Sequence, residues 1–276
     1  MRILVTNDDG IDSVGLHVLA RAMRPFGEVV IGAPDSEYSG ASAAFGALHL
    51  LRPEMHRTYI EGIDEAWAIS GPPALCVMFA RLGALGDPFD LVVSGINPGA
   101  NVGRAVYHSG TVGAAVTARN GGISGVAVSQ AVTAGAVMGQ AWDDMIKDLK
   151  WDTAAAVAAA AVEAMVAQPL REPACLNVNV PNLELADIAG WKRTAIGDRP
   201  TRALSTAHVE PKEGHEGSYY LRLDWGEKAI YDTDSDVGAV DAGYVSTTWL
   251  SKVHPIEFEG SERAEKAITT LLDKHR

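Results

Sequence analysis

The chain has 276 residues, of which 47% are apolar and 21% are charged, the balance of a globular protein that buries a large core. Its net charge of −12 excludes the broad basic field that holds polymeric DNA or RNA through counterion release. An acidic protein that acts on an anionic phosphate ester would gain from a cation at its site, so the charge balance points toward a metal.

The first two thirds of the chain alternate short apolar strands with helices. The predicted strands are 2–6, 28–31, 90–93, 125–128 and 176–180. The predicted helices are 16–23, 72–85, 111–119 and 152–168, the last with Asp152 or Thr153 as its N-cap. This alternation predicts right-handed crossovers and a mainly parallel sheet with both faces covered, that is, an α/β fold.

The character of the chain changes after Pro181. Between residues 182 and 251, β-type runs such as 219–223 are separated by turns rich in Gly and Asp. Ser261 begins a last helix with apolar residues at helical spacing. We expect residues 1–181 to form a catalytic core and 182–276 a β-rich extension whose terminal helix packs back on the core. Too few helices accompany its strands to cover a sheet within one chain, which predicts oligomerisation through the extension.

Cysteine usage and apolar runs predict the compartment. Cys76 and Cys175 are far apart and form no metal-binding or disulfide pattern, which favours a reducing compartment, the cytoplasm. The apolar run at the N-terminus is too short for a signal-peptide core, so export is not expected. The Ala-rich stretch 153–167 contains Glu163 and falls short of the ~20 apolar residues of a membrane span. No membrane partner is expected.

Two adjacent carboxylates, Asp8 and Asp9, follow the first predicted strand. Ligands of parallel sheets collect beyond the carboxyl ends of the strands, where these residues lie. Neighbouring carboxylates repel each other unless a cation or protons compensate them, and Mg²⁺ and Mn²⁺ prefer such hard oxygen ligands. An Asp-Gly turn in which one carboxylate caps the next helix is the alternative. Oxygen-rich loops elsewhere in the chain favour the metal site.

Those loops are residues 35–42 and 94–103, which follow the second and third predicted strands. The first offers several hydroxyl groups, a composition that is equally typical of a solvated turn. In the second, glycines allow backbone N–H groups to approach a ligand, and Asn97 offers an amide oxygen to a metal. An ordinary Gly-rich connection remains the alternative.

A phosphate-binding turn is predicted at the start of the helix over 111–119. Ser109 and Thr111 flank Gly110, and the free N–H groups and positive dipole of a helix N-terminus hold anions. A simple helix cap by either hydroxyl is compatible with phosphate binding. His108 is a candidate proton donor to a leaving oxygen, or a residue that only contacts the substrate.

The segments ILVTNDDG, SGAS, LVVSGINPGANVG, YHSGTVGAA, LNVNVP and GYVSTT stand in the order and spacing typical of one family. The chain resembles the SurE family of stationary-phase survival nucleotidases over most of its length. The resemblance implies a Rossmann-like core, one divalent metal ion per subunit, nucleoside monophosphate substrates, and homodimers or homotetramers. It places the metal on Asp8, Asp9, Ser39 and Asn97, and the phosphate against Asn101, Ser109, Gly110 and Thr111.

Two segments depart from the pattern of that family. Residues 71–76 read GPPALC where family members commonly read GTPADC, and residues 43–47 are almost wholly apolar. A threonine hydroxyl and an acidic side chain that the family would offer to a nucleoside are therefore missing. Because the metal and phosphate positions are unchanged, the resemblance implies the reaction more firmly than the substrate preference.

The mechanism expected from these residues is hydrolysis by a metal-activated water, with Asp8 or Asp9 as the proton acceptor and Mg²⁺ or Mn²⁺ as the metal. A mechanism through a covalent aspartyl-phosphate fits this sequence less well. Phosphatases of that kind usually show Asp-x-Asp spacing, whereas Asp8 and Asp9 are adjacent. A dinucleotide-dependent oxidoreductase would need Gly-x-Gly-x-x-Gly after the first strand, where this chain has NDDG. A non-enzymatic sensor of nucleotides or phosphate metabolites is the remaining alternative.

Overall fold

A computed structural model describes residues 1–46, 48, 52–132, 146–198, 204–227, 229–253, 255 and 257–273. Its strands are β1 (Arg2–Thr6), β2 (Glu28–Pro34), β3 (Met55–Arg57), β4 (Glu65–Ile69), β5 (Leu91–Pro98), β6 (Ser124–Gln130), β7 (Cys175–Val180), β8 (Gly190–Arg193), β9 (Leu204–Pro211), β10 (Tyr219–Trp225) and β11 (Tyr244–Leu250). Its α-helices are α1 (Val14–Met23), α2 (Pro73–Arg81), α3 (Gly110–Asn120), α4 (Trp151–Ala167), α5 (Asp236–Asp241) and α6 (Ser261–Asp273).

Nine strands form one sheet in the order β3-β4-β2-β1-β5-β6-β7-β11-β8. The pairings from β4 to β7 are all parallel, whereas β3 pairs with β4, and β11 with β7, in the antiparallel sense. The predicted α/β class, with a mainly parallel sheet flanked by helices, is therefore confirmed. From β1 the chain moves outward through β2 and β4 on one side, then returns to lay β5, β6 and β7 on the other. The carboxyl ends of β1 and β5 thus form the topological switch point, where ligands of such sheets bind.

Helices cover both faces of the sheet. Alternate residues of β1 point to opposite faces, so Ile3 and Val5 pack with α1 and α4, while Leu4 packs with α2 and the inner residues of α3. The apolar stripe of α4 is formed by small residues such as Ala154 and Ala158, which let the helix approach the sheet closely. None of the described helices is long and apolar enough to cross a bilayer.

The region after Pro181 divides into two parts. Its strands β8 and β11 extend the central sheet, β11 beside β7 and β8 parallel to β11. The strands β9 and β10 form a separate antiparallel hairpin. The predicted boundary after residue 181 stays a prediction, and part of the expected extension completes the core sheet. The terminal helix α6 has no buried residue, so its expected packing on the core is not observed in the single chain.

Several elements differ from the sequence-based expectation. The short strands β3 and β4 and the six-residue helix α5 were not predicted, because few residues in each carry a periodic pattern. The N-cap of α4 is Lys150, which makes no capping hydrogen bond, so the prediction of Asp152 or Thr153 is wrong by two or three residues. Asp152 lies instead in the first turn, where its charge complements the helix dipole.

Candidate metal and phosphate site

The Asp8 carboxylate lies against the first turn of α3. It is 3% exposed, and its two oxygens accept hydrogen bonds from the N–H of Gly110 at 3.1 Å and from the hydroxyl of Thr111. A Cβ atom at Gly110 would come within 2.8 Å of Asp8 Cβ, so only glycine allows this approach. The structure therefore joins the end of β1 to the start of α3 through a buried carboxylate.

This geometry changes the interpretation of the phosphate-binding turn. The Gly110 and Thr111 donors that the sequence assigns to phosphate are engaged by Asp8, an anion at the positive end of the helix. Ser109 is the N-cap of α3, and its Oγ accepts a hydrogen bond from the N–H of Val112 at 3.1 Å. The turn thus caps a helix and orients a candidate metal ligand.

The Asp9 carboxylate has no such partners. Both of its oxygens are buried, and neither makes a hydrogen bond to any described residue. Desolvation by burial raises its pKa to about 8, and the charges of Asp8 and Glu37 act in the same direction. Burial also raises the pKa of Asp8, against the opposing effect of the bonds from Thr111 and Gly110. A buried carboxylate without a donor is costly, and a cation would relieve that cost.

Other buried oxygens that make no hydrogen bond among the described residues lie at the end of β1 and beside it in the middle of β5. Within the described ranges, Thr6 Oγ1, Asn7 Oδ1 and Ser94 Oγ have no hydrogen-bond partner. Thr6 and Ser94 are register neighbours on the two strands, so their hydroxyls leave the same face of the sheet. The edge that carries Asp8 and Asp9 is therefore rich in oxygen atoms with unused hydrogen-bonding capacity.

Ser39 belongs to an exposed loop that backbone hydrogen bonds hold beside Asp8. The N–H of Tyr38 donates to the Asp8 carbonyl at 2.7 Å, and the N–H of Ser39 donates to Glu37 Oε1 at 3.2 Å. Farther along, the N–H of Ser42 donates to the His108 carbonyl at 3.1 Å. A Cβ atom on Gly113 would lie 2.1 Å from the Ser42 carbonyl oxygen, so the loop crosses directly over α3.

Asn97 is the next-to-last residue of β5, where that strand pairs with β6, and it is partly exposed to solvent. Its Nδ2 donates to the Gly99 carbonyl at 2.7 Å, which leaves Oδ1 as the end of the side chain for a cation. In the part of the chain that the structure describes, no three His, Cys, Asp or Glu side chains form a metal-binding group. A cation at this edge would therefore need neutral oxygens such as those of Ser39 and Asn97 in addition to the two aspartates.

Asn101 is buried and held by three neighbours on β6 and β7. Its N–H donates to Asn179 Oδ1 at 2.7 Å, and its carbonyl accepts from Asn177 Nδ2 at 2.9 Å and Asn179 Nδ2 at 3.2 Å. Its own Nδ2 donates to Ser129 Oγ at 2.9 Å, which uses one of its two N–H groups. The remaining N–H is the candidate donor to a phosphate oxygen, and the bonds from β7 hold the backbone around it.

His108 is exposed, and its backbone carbonyl receives the Ser42 bond described above. No contact fixes its ring within the described residues, so the structure neither adds to nor removes the candidate acid role. The family departures at Pro72 and Leu75 are both buried, Pro72 as the N-cap of α2 and Leu75 in its first turn. Of the apolar residues 43–47, Ala47 lies outside the described residues.

Sequence reasoning missed the residues that hold the site from a distance. Asn177 and Asn179 leave the same face of a fully buried strand, and asparagine is a poor strand former. Two asparagines at alternate positions in such a strand were a usable signal, because buried amides require partners. Asp236, which reaches the same loop from the other end of the chain, carried no local signal.

Comparison with known proteins gives a consistent result. The family model described as Survival protein SurE matches residues 3–203, a range that includes every candidate site residue. A curated protein from Erwinia tasmaniensis named 5'/3'-nucleotidase SurE is 39% identical over 251 residues, covering 91% of this chain and 90% of that protein. A protein of the same name from Cronobacter sakazakii is 39% identical over 255 residues, with the same coverage. The crystal structure of the SurE protein from Aquifex aeolicus gives a TM-score of 0.73 at 28% identity, covering 98% and 99% of the two chains.

Proposed function

This chain belongs to the SurE family, and from that membership we propose that it is a metal-dependent nucleotidase. The reaction is the hydrolysis of nucleoside monophosphates to nucleoside and phosphate, the activity that the names of its curated relatives give for those proteins. The observation that carries the metal dependence is the Asp9 carboxylate, buried beside Asp8 with both oxygens lacking a hydrogen bond among the described residues.

The residues at this edge fit one divalent cation. Asp8 and Asp9 supply hard anionic oxygens, and Ser39 and Asn97 supply a hydroxyl and an amide oxygen, the ligand types that Mg²⁺ and Mn²⁺ prefer. These residues would hold the cation, which when bound would supply polarisation of the phosphate ester and a lowered pKa of a water molecule. This charge would also offset the desolvation by burial, and the weaker repulsion from Asp8 and Glu37, that raise the pKa of Asp9.

The chain's own residues orient the reaction. Gly110 and Thr111 hold the Asp8 carboxylate in one orientation through their hydrogen bonds. This candidate metal ligand is therefore oriented before the substrate binds. Asn101 offers an amide N–H to the phosphate from a loop that Asn179 holds in place. His108, exposed beside this turn, is the candidate donor of a proton to the leaving oxygen.

The proposal is tested by release of inorganic phosphate from purified protein. The protein is stripped of metal, reconstituted with Mg²⁺, Mn²⁺, Ca²⁺ or Zn²⁺, and offered 5′- and 3′-nucleoside monophosphates beside a non-nucleotide phosphomonoester. We expect turnover with Mn²⁺ or Mg²⁺ and preference for the nucleotides. Nucleotide that binds but is recovered unchanged under every metal would reject the enzyme and favour a sensor.

A further inference from the structure

Asp236 is a fully buried carboxylate that lies outside the candidate ligand set. It is the first residue of α5, in the part of the chain that follows the β9–β10 hairpin. Its Oδ1 accepts hydrogen bonds from the N–H groups of Gly197 and Val237, each at 2.8 Å. Its Oδ2 accepts from the N–H of Gly103 at 2.9 Å. One side chain thus joins three segments that are distant in sequence.

Gly103 ends the glycine-rich loop that carries the candidate phosphate ligand. It follows Asn101 by two residues, and its φ of 55° lies in the left-handed region. Next to it, Val102 packs in a small apolar cluster with Val237 and Val240 of α5. The end of the loop is therefore attached to the C-terminal segment by one charged hydrogen bond and one apolar contact.

We propose that Asp236 is a positioning residue for the phosphate site, which holds the Gly103 end of the loop so that Asn101 faces the substrate. The identity of that substrate rests on the function proposed above. The oxygen of a neutral amide could accept the same two hydrogen bonds at the start of α5, since one oxygen serves Gly197 and Val237. The second oxygen is needed only for the active-site loop, and a buried carboxylate is retained despite its desolvation cost.

The substitution Asp236→Asn separates these two roles. Its amide oxygen can keep the bonds from Gly197 and Val237, while its NH₂ group then faces the N–H of Gly103, and two donors form no bond. Ser235→Ala is the matched control. Ser235 Oγ accepts from the N–H of Gly238 at 3.1 Å and caps the same helix, without a contact to the loop.

The experiment compares both variants with the parent by steady-state kinetics on a nucleoside monophosphate with Mn²⁺, by denaturant unfolding, and by backbone hydrogen exchange. We expect Asp236→Asn to raise KM by about tenfold or more, the factor that corresponds to one hydrogen bond to a charged group. Ser235→Ala should leave KM unchanged even though it also lowers the free energy of unfolding. Exchange in the peptide that contains Gly103 should accelerate only in Asp236→Asn.

An equal rise of KM in both variants would overturn the proposal, because Asp236 would then act only through the stability of α5. Unchanged KM and unchanged exchange in Asp236→Asn would overturn it as well. If the parent releases no phosphate, the proposed function fails, and hydrogen exchange with calorimetric binding of inorganic phosphate still decides the positioning role. If Asp236→Asn does not fold, Val102→Ala loosens the same loop end, and an unchanged KM there would contradict the proposal.

Discussion

The candidate site and the β9–β10 hairpin differ in what they bury and expose. The site buries polar oxygen atoms, whereas the hairpin exposes apolar side chains. At the site, oxygens of Asp8 and Asp9 are buried within one chain, with ligand capacity left over. On the hairpin, paired residues such as Leu221 and Val209 share one face and are 73% and 62% exposed. The opposite face carries the charged pair of Arg222 and Glu210 at 2.9 Å. The site therefore offers oxygen ligands to a cation, whereas the hairpin offers an apolar face to another protein surface.

The hairpin, unlike the candidate site, is expected to depend on a second copy of the chain. A two-stranded hairpin is marginal by itself, so an apolar face of this kind is expected to be covered. We propose that another copy of the chain covers it, giving a homodimer or homotetramer. All candidate ligands of the metal and phosphate come from the edge of the central sheet in one chain. Activity should therefore depend on Asp9 far more than on the hairpin.

The largest effect is expected at Asp9. Asp9→Asn keeps the shape of the side chain but removes half of the anionic ligand charge, so metal binding weakens and kcat falls by roughly a thousandfold or more. Steady-state phosphate release with excess Mn²⁺ measures this loss. Asp12→Asn is the control, because Asp12 is an exposed carboxylate three residues away. Equal losses in both variants would indicate a general charge effect.

The next effect concerns assembly. Leu221→Asp places a charge on the exposed apolar face, so the assembly should dissociate to a monomer by light scattering at micromolar concentration, while kcat per chain stays within about twofold. Arg222→Ala, on the opposite face of the same strand, should leave the mass unchanged. A parent protein that is already monomeric would reject this expectation.

A smaller effect is expected from Thr111→Val, which removes the hydroxyl bond to Asp8 and preserves the volume of the side chain. Asp8 loses an orienting donor, so Mn²⁺ affinity by calorimetry should fall about tenfold. Ser109→Ala, which removes only the helix cap, should lower the free energy of unfolding by about 1 kcal/mol and leave Mn²⁺ affinity unchanged. A larger effect of Thr111→Val on KM than on metal affinity would indicate that this hydroxyl binds the phosphate of the substrate and does not orient a metal ligand.

A further effect is expected on the pH dependence of stability in metal-free protein. The pKa of Asp9 is raised to about 8 in the fold, above its ordinary value of 3.8, so the folded state binds a proton that the unfolded chain has already released. Between about pH 4 and pH 8 the free energy of unfolding should therefore decrease as pH rises. Asp9→Asn should lose part of this dependence and, without metal, melt no lower than the parent. A steeper decline in the variant would contradict the assigned cause.

The sequence predicted those parts of the fold that local patterns determine. The apolar runs of β1, β5, β6 and β7 predicted these strands, and the polar residues that follow β1 and β5 predicted candidate ligands at the carboxyl ends of strands. The partners of β11 depend on pairing over long sequence separations, which local patterns do not encode. At the site, adjacency made Asp8 and Asp9 visible in the sequence. The bond from Gly110 to Asp8 and the bond from Gly103 to Asp236 join residues more than a hundred positions apart in sequence, so only the structure revealed them.

The central claim is that turnover requires a cation at Asp8 and Asp9, and metal removal tests it most directly. Parent protein is treated with excess chelator, its fold is checked by circular dichroism, and phosphate release from a nucleoside monophosphate is measured before and after Mn²⁺ is restored. The account predicts that release stops while the fold persists, and that Mn²⁺ restores release in the parent but not in Asp9→Asn. Undiminished release from Asp9→Asn in excess chelator would contradict it.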